Sequence, residues 1–178
     1  MQKDWERNLS WCTMVTERTA SAPRREAPVA PVMRHEETDM STRLNPYLGF
    51  RDTAREAMTY YQSVFGGELT LSTFGDFQAS EDESELDKIM HGMLTADNGM
   101  VLMAADTPNS MDYTPGNTFS ISLSGEDENE LRGYWDRLAG EGTVTVPLEV
   151  APWGDHFGMC TDKFGVAWLI NVAGQPQQ

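Results

Sequence analysis

The chain has 178 residues, 39% of them hydrophobic and 23% charged, and its 13 basic and 28 acidic side chains give a formal net charge of −15. So acidic a protein repels nucleic-acid phosphates and anionic membrane surfaces, which argues against both as partners. No stretch approaches the roughly 20 apolar residues that span a bilayer, and no apolar run follows the N-terminal charges, so we expect a cytoplasmic protein without a membrane span or secretory signal.

The first 40 residues show no sustained hydrophobic period. Their middle part is built largely from Ala, Pro, Arg and Ser, and three prolines, Pro23, Pro28 and Pro31, break any helix. We therefore predict a disordered extension over residues 1–40. A single folded domain then covers residues 41–178.

A strand and a helix open this domain. Apolar and polar residues alternate over residues 44–50, which predicts a first strand. Asp52 is a plausible N-cap for the helix that follows, and Gly66 and Gly67 end it. The apolar stripe of this helix consists of Ala54, Ala57, Met58, Tyr61, Val64 and Phe65.

Three strands follow the helix. Residues 68–74 read as one strand, and residues 89–96 and 100–105 read as a hairpin. A type I′ turn at Asn98 and Gly99 would close this hairpin. The first module therefore spans residues 43–106, and a proline-containing linker follows over residues 107–116.

The same order returns in a second module over residues 117–173. Alternation over residues 119–124 predicts a strand, a helix follows, and residues 143–150 form the next strand. The module closes with a hairpin whose turn runs from Asp162 to Gly165. On its last strand Trp168, Ile170 and Val172 share one face, and Ala167, Leu169 and Asn171 share the other.

The two modules are an internal repeat. Four residues of the first helix lie 74 residues before similar residues of the second, namely Tyr60, Tyr61, Val64 and Gly66 before Tyr134, Trp135, Leu138 and Gly140. A module of this size is too small to bury both faces of its sheet alone, so the two copies should pair. Helices would then cover one sheet face, and the other would line a shared cavity.

The residues of three stretches resemble a known family: residues 44–48, residues 60–69 with their Tyr-Tyr and Phe-Gly-Gly-Glu-Leu, and residues 153–168 with Trp-Gly and Asp-Lys-Phe-Gly-Val-Ala-Trp. The chain resembles the PhnB-like, demethylubiquinone-methyltransferase-like branch of the vicinal oxygen chelate superfamily, which includes glyoxalase I, bleomycin-resistance proteins and extradiol dioxygenases. The resemblance covers about residues 43–173.

The resemblance implies an α+β fold in which two paired βαβββ modules form a curled, eight-stranded, open barrel-like sheet with the helices outside. It also implies a homodimer, and a metal site with two ligands from each module. The aligned ligand positions are Asn45, Met103, Ser120 and Leu169. Because divalent metals in such sites prefer imidazole and carboxylate ligands, we expect no metal and no other cofactor here.

A methyl transfer from S-adenosylmethionine finds no support in the residues. Such an activity normally needs a glycine-rich turn between an early strand and a helix, and this junction is Phe50-Arg51-Asp52-Thr53. Our preferred hypothesis is a protein that binds a small apolar or aromatic molecule without a catalytic metal. The predicted ligand-binding residues are Asn45, Tyr47, Met103, Ser120, Ser122, Trp153, His156 and Leu169.

Two other hypotheses stay open on the sequence. A metal-dependent lyase, isomerase or dioxygenase could use His91, His156 and either Asp106 or Asp155, with the metal polarising substrate oxygens. The fold could also serve only as a dimerisation scaffold. Whether the chain is an enzyme is therefore open at this point.

Overall fold

The computed structural model describes residues 42–174, so the predicted disordered extension lies outside the described residues. The described chain contains two modules, each running strand, helix, strand, strand, strand. Within it, neither helix has the length and apolar character that crossing a bilayer requires.

In the first module the elements are β1 Tyr47–Phe50, α1 Ala54–Phe65, β2 Glu68–Thr73, a short 3-10 helix Glu83–Glu85, β3 Ile89–Thr95 and β4 Val101–Asp106. In the second they are β5 Ile121–Gly125, α2 Glu128–Gly140, β6 Thr143–Val150, β7 His156–Thr161 and β8 Ala167–Val172. The sheet orders are β1-β4-β3-β2 and β5-β8-β7-β6, with β1 parallel to β4, β5 parallel to β8 and all other neighbours antiparallel.

This architecture confirms the predicted α+β fold with two βαβββ modules. The eight strands form two four-stranded sheets and do not close into a barrel. Helices cover one face of each sheet, which we call the helix-covered face, and we call the opposite face the helix-free face. The prediction for β8 is also confirmed, because Trp168, Ile170 and Val172 are buried while Ala167, Leu169 and Asn171 are half-buried.

Aromatic side chains join the two modules on the helix-covered side. The Phe65 ring of α1 lies 5.6 Å from the Trp168 ring of β8 and 5.0 Å from the Tyr134 ring of α2, measured between centroids. The Arg137 guanidinium of α2 donates a 2.6 Å hydrogen bond to the carbonyl of Val64. The modules therefore share one core.

The predicted N-cap of α1 was wrong. Asp52 has a φ of 67° and its carboxylate pairs with Lys88 at 2.7 Å, while Thr53 is the N-cap and makes no side-chain cap hydrogen bond. The first-turn amide of Ala54 instead donates to the Asp106 carboxylate at 3.0 Å. The cap therefore comes from the end of β4, which local sequence could not reveal.

The turn between β3 and β4 also differs from the predicted type I′. Type I′ requires positive φ at both central residues, but Gly99 has a φ of 85° and Asn98 has no positive φ. The amide of Gly99 donates to the carbonyl of Ala96 at 2.9 Å, and the amide of Ala96 donates to the carbonyl of Met100. This pattern is a type I turn followed by a glycine bulge.

The two modules differ in one connection. Gly67 and Gly142, which occupy matching positions before β2 and β6, lie 75 residues apart, whereas Gly92 and Gly158 on β3 and β7 lie 66 apart. The first module therefore has a longer connection between its second and third strands, residues 74–88, than the second module has over residues 151–155. The strand β6 is an edge strand, and all its residues except Leu148 are exposed.

Candidate functional site

The helix-free face of the first sheet carries a row of large side chains. Tyr47 on β1 lies beside Met103 on β4, and Met103 lies beside Met93 on β3. Tyr47 is 52% exposed and Met93 36% exposed, so this row is open to solvent in the single chain. Methionine side chains are flexible and polarisable, which suits them to contacts with varied apolar molecules.

The second sheet has an equivalent row. Ser122 on β5 lies beside Leu169 on β8, which lies beside Met159 on β7. Four predicted ligand-binding residues thus occupy matching places, with Tyr47 matching Ser122 and Met103 matching Leu169. The first-strand positions of the aligned metal site were Asn45 and Ser120. The register shows that each lies two residues before the residue that pairs with Met103 or Leu169, namely Tyr47 or Ser122.

Each helix-free face also carries one aromatic pair. In the first module the Tyr47 ring stacks on His91, with centroids 6.0 Å apart and an interplanar angle of 28°. Burial raises the pKa of the Tyr47 hydroxyl above its usual value. In the second module Trp153 packs edge-on against Phe157 at 5.5 Å. Trp153 belongs to the turn between β6 and β7 and is 62% exposed.

Asp155 anchors this end of the second module. Its carboxylate accepts hydrogen bonds from the Gly174 amide at 2.8 Å and from the Asn171 side chain at 2.9 Å. These donors, the Gly174 amide first, lower the pKa of the carboxyl group below its usual value, and the side chain of Trp153 contributes in the same direction. Asp155 therefore stays ionised near neutral pH and holds the turn that carries Trp153.

The structure places the remaining predicted residues apart from these rows. His156 is opposite Val172, so it lies on the helix-covered side of β7. There it contributes, after Arg132, to lowering the pKa of the Glu128 carboxyl group on α2. Ser120 precedes β5 and is exposed.

A cavity of about 480 Å³ lies between the two modules. It is bordered by the chain around Asn45 and Pro46 on one side and by β5 on the other. Both neighbouring strands, β1 and β5, are sheet edges that pair on one side only. Two predicted ligand-binding residues, Asn45 and Ser122, line this cavity. The further lining residues are mostly apolar, with one charged side chain among them: Arg43, Leu44, Phe65, Leu94, Ala96, Gly99, Met100, Val101, Leu102, Ile121, Leu123 and Trp168.

The aromatic wall of the cavity was not among the predicted site residues. Phe65 and Trp168 have the apolar spacing of ordinary core residues, and only the gap between the modules shows that they also face a cavity. The Trp168 indole donates a 2.8 Å hydrogen bond to the Asp162 carboxylate, which also accepts from the Tyr61 hydroxyl at 2.7 Å. These bonds fix the orientation of the indole.

The side chains considered for a metal site are separated in the structure. His91 stacks on Tyr47 on the helix-free face, whereas Asp106 is 5% exposed and its carboxylate accepts from the amides of Ala54 and Ile89. Between residues 42 and 174 no group of three or more His, Cys, Asp or Glu side chains could hold a metal ion. The donor sets proposed from the sequence are therefore not assembled by this part of the chain.

Comparisons with known proteins identify relatives. A family model described as 3-demethylubiquinone-9 3-methyltransferase matches residues 42–171. Protein YjdN of Escherichia coli K12 is 29% identical over 143 residues, covering 74% of this chain and 96% of that protein. The structure of protein PA1353 from Pseudomonas aeruginosa is 36% identical, with a TM-score of 0.69 over 76% of this chain and 100% of that one. The PhnB protein from Bacillus cereus is 26% identical, with a TM-score of 0.60 over 74% and 100%.

Proposed function

Because this chain belongs to the PhnB-like 3-demethylubiquinone-9 3-methyltransferase family within the vicinal oxygen chelate superfamily, we propose that it binds a small apolar or aromatic molecule between its two modules. The intermodule cavity carries this proposal. Its volume of about 480 Å³ falls in the range of small-molecule sites, and its lining is apolar with few polar groups. The family name alone does not assign methyl transfer to this chain.

We also propose that binding requires no catalytic metal and that the working form is a cytoplasmic homodimer. Metal-independent binding is supported by the side chains at the matching positions on the two helix-free faces. These residues offer poor ligands for a divalent ion: Tyr47, Met103, Ser122 and Leu169. The homodimer is supported by the exposed side chains of Tyr47 and Met93, since a second copy of the chain would cover them. Light scattering on the purified full chain would measure the oligomeric state.

Binding can be tested with N-phenyl-1-naphthylamine, a neutral probe whose fluorescence rises in apolar surroundings. We expect saturable binding to the full chain. The variant Ile121→Phe should weaken it at least roughly tenfold, because the larger ring would occupy space at the cavity wall. Circular dichroism would confirm that the variant folds.

A matched variant identifies the site. Met159→Phe places the same ring on β7 of the same sheet, but on the helix-free face and outside the cavity lining. It should leave probe affinity within about twofold of the original protein. Loss of binding in Met159→Phe but not in Ile121→Phe would place the ligand on the helix-free face, and absence of saturable binding would reject the proposed function.

A further inference from the structure

The intermodule cavity has a closed end and an open end. Trp168 and Leu94 are each 1% exposed and Phe65 is 8% exposed, so these side chains form its floor. At the other end Ser122 is exposed and Asn45 half-buried. A ligand entering from solvent would therefore meet Asn45 and Ser122 first and the aromatic rings last.

The floor offers no side-chain hydrogen-bonding group to a ligand. Its one polar side-chain atom is the indole nitrogen of Trp168, whose hydrogen is already donated to Asp162. A ligand oxygen placed against Phe65, Leu94 and Trp168 would lose its hydrogen bonds to water without replacement, which is unfavourable. The floor therefore favours a hydrocarbon ring.

The mouth differs from the floor because it contains polar side chains beside the exposed Leu44. Asn45 carries an amide and Ser122 a hydroxyl, and within residues 42–174 neither side chain is engaged in a hydrogen bond. Both groups can donate and accept hydrogen bonds, so both can bind a hydroxyl or carbonyl oxygen. Arg43 also lies at the mouth but is engaged in an interaction of its own.

The net charge of the chain also affects which ligands the cavity favours. With a formal net charge of −15, the protein repels anionic molecules at a distance, and a carboxylate loses more hydration on entry than a neutral oxygen does. Apolar floor, polar mouth and acidic surroundings together favour a neutral amphipathic ligand.

We propose that the cavity selects neutral aromatic compounds with a single hydroxyl or carbonyl oxygen, bound with the ring against Phe65 and Trp168 and the oxygen at Asn45 and Ser122. This inference rests on the proposed function. It adds to that function a class of ligand and a direction of binding. A cavity with the same polarity throughout would not impose such a direction.

The test compares three competitors of N-phenyl-1-naphthylamine: naphthalene, 2-naphthol and 2-naphthoate. We expect 2-naphthol to displace the probe at a roughly 5-fold lower concentration than naphthalene, the effect of about one net hydrogen bond. The 2-naphthoate anion should be the weakest competitor. In Ser122→Ala, and more fully in the double variant with Asn45→Ala, the ratio of 2-naphthol to naphthalene affinity should fall towards one.

Ser124→Ala is the matched control, because Ser124 lies two residues further along β5 and does not line the cavity. It should keep the preference for 2-naphthol. If the probe binds but naphthalene and 2-naphthol compete equally, or 2-naphthoate competes best, the selectivity is wrong while the proposed function stands. If the probe itself does not bind, the proposed function fails first.

Discussion

The Tyr61 hydroxyl donates a 2.7 Å hydrogen bond to the carboxylate of Asp162, a residue 101 positions further along the chain. Tyr61 lies on α1 of the first module, and Asp162 begins the turn between β7 and β8 of the second. The same carboxylate oxygen accepts the Trp168 indole hydrogen, and the other oxygen accepts the amides of Phe164 and Val166. One buried side chain therefore shapes a turn, orients the cavity wall and joins the modules.

We expect Asp162→Asn to lower the free energy of unfolding by about 2–4 kcal/mol, because an amide cannot accept all four hydrogen bonds and leaves buried donors without a partner. Urea denaturation followed by circular dichroism measures this change. Asp136→Asn, an exposed position on α2, should change stability by less than about 0.5 kcal/mol. Equal effects of the two substitutions would contradict the role assigned to Asp162.

Alkaline pH should destabilise the protein. Burial first, and then Asp162, raises the pKa of Tyr61 above its usual value, and burial raises the pKa of Cys160 to about 11. The folded chain therefore keeps protons that the unfolded chain releases, so this stability is complete below about pH 9 and is lost as pH rises further. Above pH 10, Tyr61 alone should cost about 1.4 kcal/mol per pH unit.

Urea denaturation at several pH values between 8 and 11 would measure this dependence. In Tyr61→Phe, which is less stable at neutral pH because it loses the hydrogen bond to Asp162, the decline above pH 10 should be shallower. An unchanged slope in this variant would show that other groups cause the alkaline loss.

Gly158 should not tolerate a side chain. A Cβ atom there would lie 2.9 Å from the Cα of Leu148 on β6 and 3.0 Å from the Trp135 ring of α2. We expect Gly158→Ala to cost about 1–3 kcal/mol by overpacking, measured as a lower melting temperature. Gly49→Ala is the matched strand control, because nothing lies within 4 Å of its Cβ position, and a comparable loss there would refute the packing explanation.

Removing divalent metals should leave probe binding unchanged. The matching positions Tyr47, Met103, Ser122 and Leu169 lack imidazole and carboxylate groups, so we expect the affinity for N-phenyl-1-naphthylamine to be the same before and after dialysis against a chelator. Elemental analysis would accompany the titration. An affinity lost on chelation and restored by one equivalent of a divalent ion would reverse the expectation.

The sequence predicted those parts of the fold that depend on local pattern. The alternation in β8 and the turn from Asp162 to Gly165 were both visible, and the amide of Gly165 does donate to the carbonyl of Asp162. The cap of α1 was not predictable, because its acceptor is Asp106, 52 residues after Ala54. Contacts between distant residues carry no local signal.

The same distinction applies to the candidate site. Tyr47, Ser122 and Leu169 could be named from the predicted strands and, for Leu169, from the family resemblance, and the register then places Tyr47 and Ser122 at matching positions of the two modules. The cavity could not be predicted, because its walls are core-like side chains from both modules. A hydrophobic pattern identifies Phe65 and Trp168 as buried, but it does not show whether the space between modules is filled.

The exposed edge strand β6 has a consequence for how the protein behaves at high concentration. Its sequence, Thr-Val-Thr-Val-Pro-Leu-Glu-Val, combines strong β-propensity with a single charge, the composition of segments that seed aggregation. Pro147 in its centre removes a backbone donor, and its pairing with β7 is interrupted on both sides of Val146. These irregularities protect the strand from being extended by another chain, so replacing Pro147 would remove one of these protections and should favour association through this edge.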